Sequence, residues 1–140
     1  MFELTIPGDP IPLQRPRFVN GRVWDKQKDI RAEKVSYLKN LVGALSPIYG
    51  PLGIALEYYI LIPASFSRKK TRDYLDMFHC KRPDLDNYVK FTLDICADVL
   101  YKDDAQICYI NACKMYSTEP RTEIRLFYLG DKEEQLGTSQ

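Results

Sequence analysis

Gly53 to Ile62 constrains the fold of this chain more than any other stretch. Ile54, Leu56, Tyr58, Ile60 and Ile62 alternate with Ala55, Tyr59 and Leu61, so both faces ask for cover. A strand of that kind belongs inside a sheet. Gly50-Pro51 precedes it and Pro63 ends it, since proline donates nothing to a ladder. The rest of the chain must supply its neighbours and a covering layer.

Phe2 to Ile6 alternates apolar and polar residues and reads as a second strand. The Pro7-Gly8-Asp9-Pro10-Ile11-Pro12 cluster ends it. Asn20-Gly21, between Phe18-Val19 and Arg22-Val23-Trp24, is a strong hairpin signal, and the hairpin gathers Arg15, Arg17 and Arg22. Asp25 is placed to cap a helix over 26–44, whose apolar side holds Ile30, Val35, Leu38, Leu41, Val42 and, just beyond, Leu45. Ser65 to Phe78 starts as a helix near Ser67. It is polar and basic, with Tyr74, Leu75 and Phe78 to dock it, and is expected to be a mobile, substrate-facing segment.

Pro83 forces an extended entry into the next helix, predicted from an Asp86 cap to about Asp98. Leu85, Val89, Leu93, Cys96 and Leu100 form its apolar stripe, opposite Asp86, Lys90 and Asp94. Gln106 to Tyr116 reads as a strand. Thr122 to Leu129 is expected to pair back onto it across Glu119-Pro120-Arg121. Together these elements predict one α+β domain over residues 1–129. It has a mixed sheet of about four main strands, a short N-terminal hairpin and two to three packed helices. Residues 130–140 are polar and are expected to form a disordered tail.

The chain has no run of about 18 apolar residues, so no membrane span is expected. Its first residues, Met1-Phe2-Glu3-Leu4-Thr5-Ile6, lack the basic start and apolar core of a signal peptide, which makes the cytoplasm the expected compartment. Cys80, Cys96, Cys108 and Cys113 match no zinc spacing and read as small buried hydrophobes. His79 is the only histidine. A net charge of +1 does not by itself point to nucleic acid, but the distribution is uneven. Residues 14–39 hold eight basic side chains against three acidic, and residues 66–82 hold six against two. Basic flanks around a small acidic centre suit a site that handles phosphate with a metal ion.

That centre is Asp84 and Asp86 at one end of the predicted helix, and Asp103 and Asp104 beyond its other end. Taken singly, each reads as a cap, a turn residue or part of a solvated stripe. If the pairs converge, each like pair about 4 Å apart costs ~4 kcal/mol at an effective dielectric near 20, so a cation or shifted pKa values must accompany them. Clustered carboxylate oxygens suit Mg²⁺ or Mn²⁺.

Arg82-Pro83-Asp84-Leu85-Asp86-Asn87 with Lys90 and Asp94, followed by Leu100-Tyr101-Lys102-Asp103-Asp104-Ala105-Gln106, resembles the RusA family of Holliday junction resolvases. Gly8-Asp9-Pro10-Ile11-Pro12 with Arg15-Pro16-Arg17, and Glu119-Pro120-Arg121-Thr122-Glu123, are similar to further motifs of that family. The resemblance spans residues 3–129. It implies an endodeoxyribonuclease that uses Mg²⁺, with Mn²⁺ as a substitute, to resolve four-way junctions as a homodimer by paired nicks in recombination and repair.

By position the resemblance makes Asp84, Asp86, Lys90 and Asp104 catalytic, and makes Asp84, Asp86, Asp104 and Asp103 metal ligands. Asn87 and Gln106 match motif positions. Asp94 and Asp98 fall to surface and turn roles, Asp98 standing where many members have Gly. Arg15, Arg17, Arg68, Lys69, Lys70 and Arg72 would grip DNA backbones. Two readings stand beside it: a junction-binding module without catalysis, and a phage-type nuclease for other branched DNA. A thiol-zinc protein comes last.

Overall fold

β4 (Leu52–Leu61) is an inner strand, as its apolar pattern demands. This is seen in a computed structural model that describes residues 1–130, so the expected tail lies outside the described residues from position 131. β5 (Ile107–Ser117) pairs parallel to β4 on one side, and β6 (Arg121–Tyr128) antiparallel on the other. β1 (Phe2–Pro7) adds to β6, giving the order β1-β6-β4-β5. The last two strands therefore do not pair with each other, contrary to expectation, because β4 lies between them. The β4–β5 pairing runs on to Ile62, whose N–H donates to the Ser117 carbonyl at 2.9 Å, and the Glu119-Pro120 turn then crosses the end of β4.

The core gathers on one face of this mixed sheet. Ile54, Leu56 and Tyr58 of β4 join Leu4, Ile6, Ile124 and Leu126 beneath two helices, α1 (Lys28–Val42) and α3 (Leu85–Cys96). Each such side chain contributes about 1.5–3 kcal/mol by leaving water. Among the described residues no helix covers the second face of β4, and Leu61 is exposed. Charged and aromatic groups occupy it instead. Arg125 pairs with Glu57 at 2.9 Å, the Tyr59 hydroxyl donates to Glu57 at 2.6 Å, and the Arg121 guanidinium lies 3.7 Å from the Tyr59 ring.

Several local expectations shift. α3 starts at Leu85 with Asp84, not Asp86, at its cap, and ends at Cys96. Its buried face is Tyr88, Phe91, Thr92, Ile95 and Cys96, while Leu85, Val89 and Leu93 are half-buried. Polar atoms explain the rotation. Tyr88 stacks on Tyr58 at 5.1 Å, and the Tyr58 hydroxyl meets the Thr92 hydroxyl at 2.7 Å, so Tyr and Thr enter the core with partners. Asp25 does not cap α1. It accepts the Gln27 N–H and pairs with Arg31 at 2.6 Å, and the helix begins two residues later than expected.

β2 (Arg17–Val19) and β3 (Arg22–Trp24) form the expected hairpin, with Asn20 and Gly21 both at positive φ. α2 (Arg68–Tyr74) is capped by Ser67, whose hydroxyl accepts the Lys70 N–H. Tyr74 packs edge-on to Phe66 and Tyr116, but Leu75 and Phe78 are exposed rather than docked. After α2 the chain turns at Asp76 and follows the outer edge of β5. Tyr116 donates to the Met77 carbonyl and His79 to the Lys114 carbonyl, both at 2.9 Å, which turns Phe78 outward. Cys96 is buried, but Cys80 and Cys108 are exposed, the latter on that same edge strand.

Candidate active site

α3 separates the two acidic pairs. Its 12 residues span about 18 Å. Asp84 stands at the N-cap in extended conformation; its carbonyl accepts the Asn87 N–H at 3.2 Å, but its carboxylate makes no capping bond and is exposed. Asp86, in the first turn, lies 3.7 Å from the Lys90 ammonium one turn on, and both side chains are exposed. The Lys114 ammonium fixes the approach to this end. It donates to the carbonyls of Lys81 and of Pro83, the latter at 2.6 Å, and so holds the strand that delivers Asp84. Asn87 anchors the N-terminal segment, its carbonyl accepting the Leu13 N–H at 2.8 Å.

The other end is built from a tight turn. Asp98 takes φ +66, the left-handed conformation that Asp tolerates better than most residues, and its N–H donates to the Tyr101 carbonyl at 2.6 Å. A single 3-10 turn, Asp104–Gln106, follows. Asp103 caps it by accepting the Ala105 N–H at 2.9 Å. Gln106 closes the box: its amide oxygen accepts the N–H groups of Lys102 and Asp103, and its amide nitrogen donates to the carbonyls of Ile48 and Gly50. Gln106 is thereby a clamp for the turn.

Burial raises the Asp104 pKa, the neighbouring Tyr101 hydroxyl pulls it back down, and the charges of Asp94 and Asp103 push it up again. Asp94, placed on a plain surface stripe by the sequence, therefore belongs electrostatically to the Asp103/Asp104 end. The signal was there: Asp94 follows Asp86 by eight residues on one helix face, so it reaches the far end of that face. Lys114 was also missed. Its role depends on β5 lying beside residues 81–83, which no spacing in the sequence shows.

The two pairs do not meet within one chain. Among the described residues, no three His, Cys, Asp or Glu side chains lie close enough together to hold a metal ion. The donors are hard oxygens of the kind Mg²⁺ takes, and among the described residues they stand at the two separate ends of α3. The helix is a rigid spacer, and residues 97–102 only turn the chain at its end.

The candidate DNA contacts lie on two elements. Arg15 and Arg17 are exposed at the base of the hairpin, and Arg68, Lys69 and Arg72 are exposed on α2. Lys70 is engaged locally, its ammonium 4.1 Å from the ring of Phe66 just before α2. Arg22 and Lys26 extend the basic hairpin, Lys26 lying 5.6 Å from the Trp24 ring.

Comparison with known proteins adds two findings. The family described as endodeoxyribonuclease RusA matches residues 7–127. The uncharacterized protein YqaN of Bacillus subtilis (strain 168) is 31% identical over 138 residues, covering 89% of this chain and 94% of YqaN.

Proposed function

Because the chain belongs to the RusA endodeoxyribonuclease family, we propose that it is a Mg²⁺-dependent nuclease, working in the cytoplasm as a homodimer, that resolves four-way DNA junctions by paired nicks. The observation that carries this reading is the separation of two acidic half-sites by α3, next to an unpaired sheet edge. Among the described residues, Ile107 to Cys113 of β5 have no strand on their outer side. Met77, Phe78, Tyr109 and Ile110 are exposed along it. Such an edge invites a second strand.

α3 runs antiparallel to β5. Its Asp84 end is tied to Lys114 late in β5, and Asp104 immediately precedes the start of β5. When two β5 edges pair antiparallel about a two-fold axis, the start of each strand meets the end of the other. Asp103 and Asp104 of one protomer then approach Asp84 and Asp86 of its partner. Two composite sites result, related by the same two-fold symmetry as a four-way junction.

In this arrangement Asp84, Asp86 and Asp104 hold the ion, with Asp103 in support. A bound divalent ion supplies an acidified water and neutralises charge on the scissile phosphate. Lys90, one turn from Asp86 and exposed, offers its ammonium to a non-bridging phosphate oxygen. The arginines of the hairpin and Arg68, Lys69 and Arg72 of α2 neutralise the backbones of the arms, which predicts a steep salt dependence of binding.

The test is a labelled mobile four-way junction, with linear duplex and flap controls, in Mg²⁺ and in EDTA. Paired symmetrical nicks in the junction alone, and only with Mg²⁺, are expected. Junction binding without nicking, or flap cleavage as fast as junction cleavage, overturns the assignment.

A further inference from the structure

The β2–β3 hairpin exposes both of its faces. Phe18 and Val23 are directly paired across the strands and stand together on one face, with relative exposures of 76% and 69%. Arg17, Val19, Arg22 and Trp24 occupy the other face, Trp24 at 54%. A two-stranded hairpin is marginal in water on its own, and among the described residues nothing covers its Phe18/Val23 face; a protruding apolar pair of this kind marks a binding surface.

Its root, by contrast, is fixed. Gln27 is buried; its amide nitrogen donates to the Pro12 carbonyl at 2.7 Å, and its amide oxygen accepts the Gln14 N–H at 2.9 Å. Next to these, Leu13 donates to the Asn87 carbonyl in the first turn of α3. The hairpin thus springs from the helix turn that carries Asp86, and its two-residue tip keeps the end narrow.

Charge decides the occupant. Residues 10–24 contain three arginines and no acidic residue. A second copy of the hairpin would repel the first. A polyanion whose unpaired faces stack on aromatic rings fits both the charge and the apolar pair.

We infer that this hairpin is a branch-point probe: Phe18, backed by Val23, stacks on bases that a DNA junction leaves without a full stacking partner, while Arg17 and Arg22 hold the adjoining phosphates. An intact duplex offers no such face, so the apolar pair contributes to junction choice and the arginines to affinity for any DNA. The inference rests on the nuclease reading above and deepens it.

The experiment compares a four-way junction with a duplex of the same arm sequences, both in EDTA so that nothing is cut. 2-Aminopurine is placed beside the branch point. Binding of the unaltered protein is expected to change its emission. The double variant Phe18→Ala/Val23→Ala is expected to lose that change and to bind the junction about 5- to 150-fold more weakly, with duplex affinity held within about two-fold. Phe18→Tyr, which keeps a stacking ring, is expected to behave as the unaltered protein. Junction affinity and emission unaffected by the double variant overturn the inference, as does an equal loss on duplex. An unaltered protein that binds neither DNA sinks the nuclease reading itself, a result distinct from a junction binder indifferent to Phe18.

Discussion

The two ends of α3 carry the same kind of side chain in opposite surroundings. At the N-terminal end Asp84 and Asp86 are exposed, Lys90 is 3.7 Å from Asp86, and Lys81, Arg82 and Lys114 are close in the chain or the fold. The helix dipole adds partial positive charge there. At the C-terminal end burial and the charges of Asp94 and Asp103 act on Asp104, which holds its proton to higher pH, and the dipole there is negative. One end tolerates anions and can receive a phosphate. The other has Lys102 beside three carboxylates and gains from a cation. In the proposed dimer these would be the two halves of one metal site.

Substitutions at each end put that contrast to the test. The largest effect is expected at Asp86. Asp86→Asn removes a proposed ligand and lowers junction nicking by about 10²–10³-fold or more, with junction binding retained in a gel-shift assay. Next is Lys114→Met, which frees the carbonyls of Lys81 and Pro83 and is expected to cost about 2 kcal/mol in urea unfolding.

Asp104→Asn tests the acidic end through pH. Asp104 ionises later in the folded chain than in the unfolded one. Its stabilising contribution is therefore complete below the unfolded carboxylate pKa and is lost as pH rises through the raised folded value. In EDTA the variant is expected to melt above the parent chain at pH 7, with the gap closing as the pH falls through the carboxylate range. A constant gap in thermal melts contradicts this. The smallest effect on stability belongs to Lys90→Met. The pair it breaks is exposed and contributes less than about 0.5 kcal/mol, yet nicking is expected to fall about 10²-fold.

Much of this was legible in the sequence because local chemistry carried it. Asn20-Gly21 specified a hairpin, proline and alternation specified β4, and Asp98 at a left-handed position still allowed the turn. What depended on distant partners was not legible. The α3 stripe was misjudged because Tyr88 and Thr92 become core residues only once the Tyr58 ring and hydroxyl are beside them. β5 and β6 were expected to pair because they are neighbours in the chain, whereas β4 separates them. The acidic residues were legible as a set. Their placement as two pairs at the two ends of one helix was legible too, but whether the pairs converge within a chain was not, since spacing alone does not say how the chain returns beyond the helix.

The measurement that tests the composite site most directly mixes two inactive variants. Asp86→Asn and Asp104→Asn each disable both sites of a homodimer. In the mixed dimer of a composite arrangement, one site carries both substitutions and the other carries neither. Co-refolding the two variants is therefore expected to restore nicking of one junction strand per dimer, at about a quarter of the total unaltered activity for equal mixing with random pairing. Mixtures as inactive as either variant alone, with mixed dimers confirmed by native mass spectrometry, would contradict it, because a site contained in one chain leaves every site of every dimer damaged.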